Sequence, residues 1–147
     1  MKITFDKYDF RIKEVEDQKF IFDVIRKKFV ALAPEEWVRQ HWIHYLIHHQ
    51  KYPRSRIAAE MKIKLNGLTK RCDLVVFDKS GNPFLIVECK APEIKITQKT
   101  FDQIARYNLT LNVKYLVVSN GNKHFCCAID AVEMKYEFLD ELPSILN

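Results

Sequence analysis

The sequence predicts an α/β fold: a central mixed sheet, made of an antiparallel three-strand meander plus further strands, flanked by helices. Glycine and asparagine mark the turns. The chain has three glycines, Gly67, Gly81 and Gly121, and each sits beside an asparagine (Asn66, Asn82, Asn120 and Asn122), punctuating a run of strands. Two segments instead carry helix signals, which gives the order helix, three strands, helix, two strands.

The first 33 residues read weakly, with Lys19–Phe22 and Phe29–Leu32 as short strands joined around Asp23–Lys28. Pro34-Glu35-Glu36 opens a helix, because proline fits the first helical position and acids favour that end of the dipole. This helix is expected to run to about His49, ahead of Pro53. Ile57–Leu65, Cys72–Asp78 and Phe84–Lys90 read as strands. Thr97–Leu109 reads as a helix, with Phe101, Ile104, Ala105 and Leu109 at helical spacing. Val113–Ser119 and His124–Ile129 form a second hairpin, and Tyr136–Asn147 carries a short strand or helix.

A chain of 147 residues has the size of one ordinary domain, and 48% apolar residues suffice for a core. We expect one domain over 1–147: an N-terminal extension over 1–33, a core over 34–131 and a tail over 132–147. The longest apolar runs, Leu74–Phe77, Phe84–Val87 and Tyr115–Val118, fall far short of the ~20 residues that span a bilayer. MKITFDKYDFRIK lacks the apolar stretch of a signal peptide, so a soluble cytoplasmic protein is expected. Cys72, Cys89, Cys126 and Cys127 match no zinc spacing and read as buried reduced thiols. The net charge of +5 suits a polyanionic partner.

Turn chemistry also sets register. Asn66-Gly67 signals a two-residue hairpin, which makes Leu65 face Leu68 and Glu60 face Asp73. Read as a four-residue loop, Lys79-Ser80-Gly81-Asn82 pairs Asp78 with Pro83 and sets Asp73 against Glu88. Alternation then places Ile57, Ala59, Met61, Ile63, Leu74, Val76, Leu85, Val87 and Cys89 on an apolar face. Glu60, Asp73, Glu88 and Lys90 share the opposite, partly covered face with Val75 and Ile86. Clustered carboxylates call for compensating cations: Lys90 is one, and a hard divalent ion such as Mg²⁺ would be another.

Asp73 followed by Glu88-Cys89-Lys90 resembles the D…ExK signature of the PD-(D/E)XK nuclease superfamily. PEEWVRQ, YPRSRIAAE, KRCDLVVFD, FLIVECKAP and FDQIARYN, in that order, resemble the N-terminal nuclease-like domain of type I restriction enzyme R subunits, over roughly Phe29 to Cys127. The resemblance implies a restriction-endonuclease-like fold and Mg²⁺-dependent hydrolysis of DNA, with Mn²⁺ as a substitute. It implies metal binding by Asp73, Glu88 and the backbone carbonyl of Cys89, with Lys90 positioning water or stabilising phosphate charge. Gln103 and Tyr107 look like a QxxxY element, four residues apart on one helix face. A helical acid is also implied. Glu35 is preferred to Glu36 because it shares a face with Val38, Trp42 and Tyr45, and Glu60 is a further candidate ligand. DNA, partner restriction or helicase subunits, and a second copy in a homodimer are the partners implied.

The chain contains no G-x-x-x-x-G-K-[ST], so a solitary nuclease-like domain, or one part of a larger assembly, is expected rather than a translocating motor. A non-catalytic nucleic-acid-binding or assembly module that keeps the fold is the alternative. His41, His44 and His48 share a helix face, which reads as a solvent or subunit surface before a zinc site, since H-E-x-x-H is absent. Lys95, Lys99 and Arg106 serve equally well as phosphate contacts or as a solvated face.

Overall fold

A computed structural model describes residues 1–145 apart from 66, 110 and 112. Three short strands come first: β1 (Ile12–Val15), β2 (Gln18–Asp23) and β3 (Lys28–Ala31). Helix α1 (Pro34–His48) follows, then a 3-10 turn at Arg54–Arg56. The meander is β4 (Ile57–Leu65), β5 (Leu68–Phe77) and β6 (Pro83–Cys89). Helix α2 (Gln98–Leu109) leads to β7 (Tyr115–Ser119), β8 (His124–Asp130) and β9 (Lys135–Leu139).

Strands β1–β3 form a small antiparallel sheet, and the other six form one mixed sheet in the order β4-β5-β6-β7-β8-β9. Its one parallel pair, β6 with β7, is bridged by α2, because a parallel connection needs a long crossover. This is the α/β architecture expected, with β1 as an additional strand and the tail strand β9 at the sheet edge. The tail residues Leu146 and Asn147 lie outside the described residues.

The two helices cover opposite faces of the large sheet. Val38, Trp42, Ile43 and Leu46 of α1 pack on Leu74, Val76, Leu85, Val87, Val117 and Cys126. Phe101 and Ala105 of α2 pack on Val75, Ile86, Leu116, Val118 and Cys127. Covered on both faces, β6 and β7 are apolar at successive positions rather than alternating. The second face is therefore fully covered, not partly: Val75 and Ile86 have no exposed surface. All four cysteines are free and buried, and Cys126 and Cys127 serve opposite faces. Among the described residues no helix is long and apolar enough to cross a membrane.

Leu65 pairs with Leu68, as the hairpin count requires; Asn66, on which the turn assignment rests, lies outside the described residues. The second turn is one residue longer than expected. Phe77, not Asp78, pairs with Pro83, and a register shift follows Val76. Asp78 turns the chain instead, its Oδ1 accepting the N–H groups of Ser80 (2.9 Å) and Asn82 (3.0 Å). The shift absorbs one residue, so Val76 opposite Leu85 and Leu74 opposite Val87 are as counted.

The face assignment fails beyond Ala59. Glu60 adopts a left-handed backbone (φ 52°), and the hairpin changes sides there. Ala59 and Leu74 pack on the α1 side, whereas Ile63 and Cys72 pack on the α2 side and Met61 is exposed. A period-two count cannot survive a residue that turns the strand over.

Candidate active site

The kink directs two consecutive residues of each strand, Ala59-Glu60 and Asp73-Leu74, toward α1. Arg39, on the inner face of α1 and only 4% exposed, meets them. Its guanidinium lies 3.2 Å from Glu60, 3.2 Å from Asp73, 3.0 Å from Glu36 and 3.8 Å from Glu35. Arg26 extends the network, bonding Asp23 at 2.6 Å, Glu36 at 2.8 Å and Glu60 at 3.3 Å. Gln40 donates to both Asp23 and Glu36 at 3.0 Å. Burial opposes the charge on Arg39, yet Glu36 and Asp73 outweigh it and hold its pKa above the usual value. Burial likewise opposes ionisation of Asp23 and Glu60, but their arginine partners pull both pKa values down.

Asp73 has a second partner, the backbone N–H of Cys89, which donates to Oδ2 at 2.7 Å. This bond ties the two site strands together. The β5–β6 ladder reaches Leu74 opposite Val87, and Asp73 and Glu88 lie one residue beyond it. The side chains nevertheless part. Val87 and Cys89 face α1, so Glu88 faces the α2 layer, where the Lys70 ammonium pairs with it. Burial raises the Glu88 pKa, Lys70 opposes that rise, and Asp73 adds to it. Lys70 also lies 5.1 Å over the Tyr107 ring, which links α2 to the site. Asp73, Glu88 and Glu60 thus do not share one face: Asp73 and Glu60 meet Arg39, and Glu88 meets Lys70.

Lys90 lies just past the end of β6, its backbone N–H donating to the Ser119 carbonyl at 2.8 Å. Its charge reaches both layers, favouring ionisation of Glu35 and of Glu88. Glu35 does not point inward as its helix face implied. Glu36 is the buried one (8% exposed) and is spent on Arg26, Arg39 and Gln40. Glu35 is exposed, and its pKa is raised by burial of its environment and then by the Asp73 charge. Gln103 is exposed on α2, one turn before Tyr107.

Sequence reading missed Arg39, Lys70, Arg26 and Gln40. Arg39 had a signal in its spacing from Glu35 and Glu36, one helical turn away. Lys70 had none, because only the kink turns it toward Glu88.

The oxygens of Asp73, of Glu88 and of the Cys89 backbone suit a hard cation in kind. The Cys89 thiol does not enter such a set: burial, then Asp73, pushes its pKa well up. Among the described residues no three His, Cys, Asp or Glu side chains converge as a metal cage. The expected set with Glu60 is therefore not assembled, and Arg39 and Lys70 already neutralise its two main carboxylates.

The histidine face of α1 is partly covered, with His48 and Trp37 still exposed. Tyr8 packs on His41, His44 and His48, and Phe10 packs on Trp37, His41 and His44.

Residues 34–143 match the family model described as type I restriction enzyme R protein N terminus (HSDR_N). The chain belongs to this family. The match starts at the first residue of α1 and contains every site residue read from the sequence, while β1–β3 precede it. As a member of the R-protein N-terminal family, the chain is a restriction-enzyme-related, nuclease-like domain. No curated protein matches it.

Proposed function

We propose that this R-protein N-terminal domain hydrolyses phosphodiester bonds in DNA, using a divalent cation, Mg²⁺ or Mn²⁺, held by Asp73, Glu88 and the backbone carbonyl of Cys89. The observation that carries the reading is the 2.7 Å bond from the Cys89 N–H to Asp73, which joins the strand of Asp73 to the strand that carries Glu88 and leads into Lys90. A bound ion of this kind supplies Lewis acidity and an activated water. The chain's own groups do the rest. Lys90 places positive charge where a phosphoryl oxygen gains negative charge. Arg39 and the Cys89 N–H fix the Asp73 carboxylate so that it needs no reorganisation. Glu35 stands at the open side of Asp73, and Gln103 and Tyr107 present α2 to the nucleic-acid backbone. DNA and other restriction subunits are the partners the family membership supports.

Incubation with plasmid and linear DNA plus Mg²⁺ or Mn²⁺ tests the reading. Cleavage should occur and should fall at least about a hundredfold in Asp73→Ala and Lys90→Ala, the scale of losing one charge-stabilising group. Cleavage unaffected by both substitutions would sink the mechanism.

One observation favours a second reading. With Arg39 on Asp73 and Lys70 on Glu88, the carboxylates are balanced without any metal. A nucleic-acid-binding or assembly module that keeps the fold without turnover fits that balance. Salt-sensitive DNA binding with no metal-dependent cleavage would select it.

A further inference from the structure

A cavity of about 270 Å³ opens beside the candidate site and has no part in the reading above. Four segments build it: Phe5, Asp6 and Lys7 of the N-terminal segment; Trp37, Val38 and His41 of α1; Pro92; and the Asn120-Gly121-Asn122 turn. Two of these run directly into the site. Trp37 follows Glu35 by two residues, and Pro92 follows Lys90 by two residues. Pro92 therefore lies within roughly 7 Å of chain from Lys90, the group assigned to the phosphate, and Trp37 within the same reach of Glu35, the exposed acid of α1.

The lining selects a ligand class. Trp37 is 38% exposed, whereas the other tryptophan, Trp42, is fully buried. The Trp37 indole is buttressed edge-on by His41 at 4.5 Å and by a tilted Phe10 ring at 5.3 Å. His41 is fixed in turn, its Nδ1 sharing a hydrogen bond with the Trp37 carbonyl at 2.7 Å. The opposite wall is a rigid polar turn, since Asn120 Oδ1 accepts the N–H groups of Asn122 (2.9 Å) and Lys123 (2.8 Å). That turn sits close against α1: a Cβ on Gly121 would stand 3.2 Å from Val38 Cγ2. Asp6 and Lys7 at the rim cancel in charge. A pre-fixed indole, the Asn122 amide and a neutral rim suit a flat, uncharged heterocycle, and a free anion would gain little there.

We propose that this cavity is a subsite for one nucleobase of the nucleic-acid strand whose phosphate lies at Lys90, with the base stacked on Trp37. The subsite rests on the nuclease reading for its neighbouring phosphate, but not on turnover. It confers a preference for strands whose base next to that phosphate can leave its stack, as at single-stranded or frayed ends.

Tryptophan emission of the whole chain reads the subsite, because Trp42 has no access to solvent quenchers. Deoxyadenosine monophosphate should quench the emission saturably, while deoxyribose 5-phosphate and inorganic phosphate should not. Trp37→Phe should remove the response and keep single-stranded oligonucleotide affinity within about threefold. Trp37→Ala should weaken that affinity about tenfold, and an abasic nucleotide at the corresponding position should do the same to the native chain. Equal quenching by the sugar phosphate, no quenching at all, or a response that persists in Trp37→Phe would each overturn the subsite. So would emission that changes only with protein concentration, which would mark the cavity as a contact between copies. The two readings fail separately. Quenching without metal-dependent cleavage removes the nuclease and leaves the subsite, and cleavage without quenching does the reverse.

Discussion

Arg39 is the residue on which the candidate site turns. It brings a charge into a place only 4% exposed, where four carboxylates surround it. Removing one partner of a buried charge set leaves the others uncompensated. Arg39→Met should therefore cost about 3–5 kcal/mol of unfolding free energy, read as a drop in the urea midpoint. Arg39→Lys should recover only part of it, since an ammonium cannot fork between Glu36 and Asp73. A neutral effect of Arg39→Met would show that Glu60 and Asp73 need no cation. Lys70 plays the matching part for Glu88, but on a flexible stem beside Tyr107.

At the scale of elements, helix α1 owes its packing to both flanks. Its apolar side, with Trp42, Ile43 and Leu46, lies on the sheet, and its histidine side lies under Tyr8 and Phe10. His44 is held neutral there, its pKa lowered to about 4 by burial and then by His48, Arg54 and His41, with Asp23 opposing. His124, facing Phe5 and Trp42, is lowered to about 4 chiefly by burial. Both folded values lie below the ordinary 6.5. The unfolded chain thus binds more protons between those limits. The histidine contribution to stability is complete above pH 6.5 and is lost as pH falls toward 4. Melting temperature should drop between pH 7 and 4.5, and less steeply in His44→Gln. An identical drop in both proteins would exclude His44 as a source.

For the whole molecule, the large sheet holds the middle of β5 and the end of β6 between α1 on one side and α2 on the other, and charge balance then decides metal affinity. A cation that binds only the folded state raises stability as its concentration passes its dissociation constant. Mn²⁺ at about 100 times that constant should raise the melting temperature by several degrees, and Asp73→Ala or Glu88→Ala should abolish the rise. Lys70→Ala should shift the response to lower Mn²⁺, because Lys70 competes for Glu88. A shift in the opposite direction would show that the lysine does not occupy the carboxylate. The membership that covers residues 34–143 does not reach β1–β3, yet Asp23 and Arg26 from that small sheet are bonded into the acid network. The N-terminal strands are thereby part of what holds α1 at the site.

By itself the sequence determined the order of the two helices and of the strands between Ile57 and Ile129, the register that sets Leu74 opposite Val87, and the resemblance to R-protein N-terminal domains. These rest on local signals: turn residues, helix starts and period-two counting act over a few residues and leave their mark in the chain. The tertiary structure alone decided where the side chains go. The left-handed residue at Glu60 turned the hairpin over, sending Asp73 to Arg39 and leaving Lys70 to meet Glu88. Tertiary packing also laid Phe5, Tyr8 and Phe10 against the histidines of α1, a face the helix pattern had left as a solvent or subunit surface. The physical reason is the same in both cases. Which cation reaches a buried carboxylate depends on elements far apart in sequence, and a single backbone dihedral can exchange one face of a strand for the other.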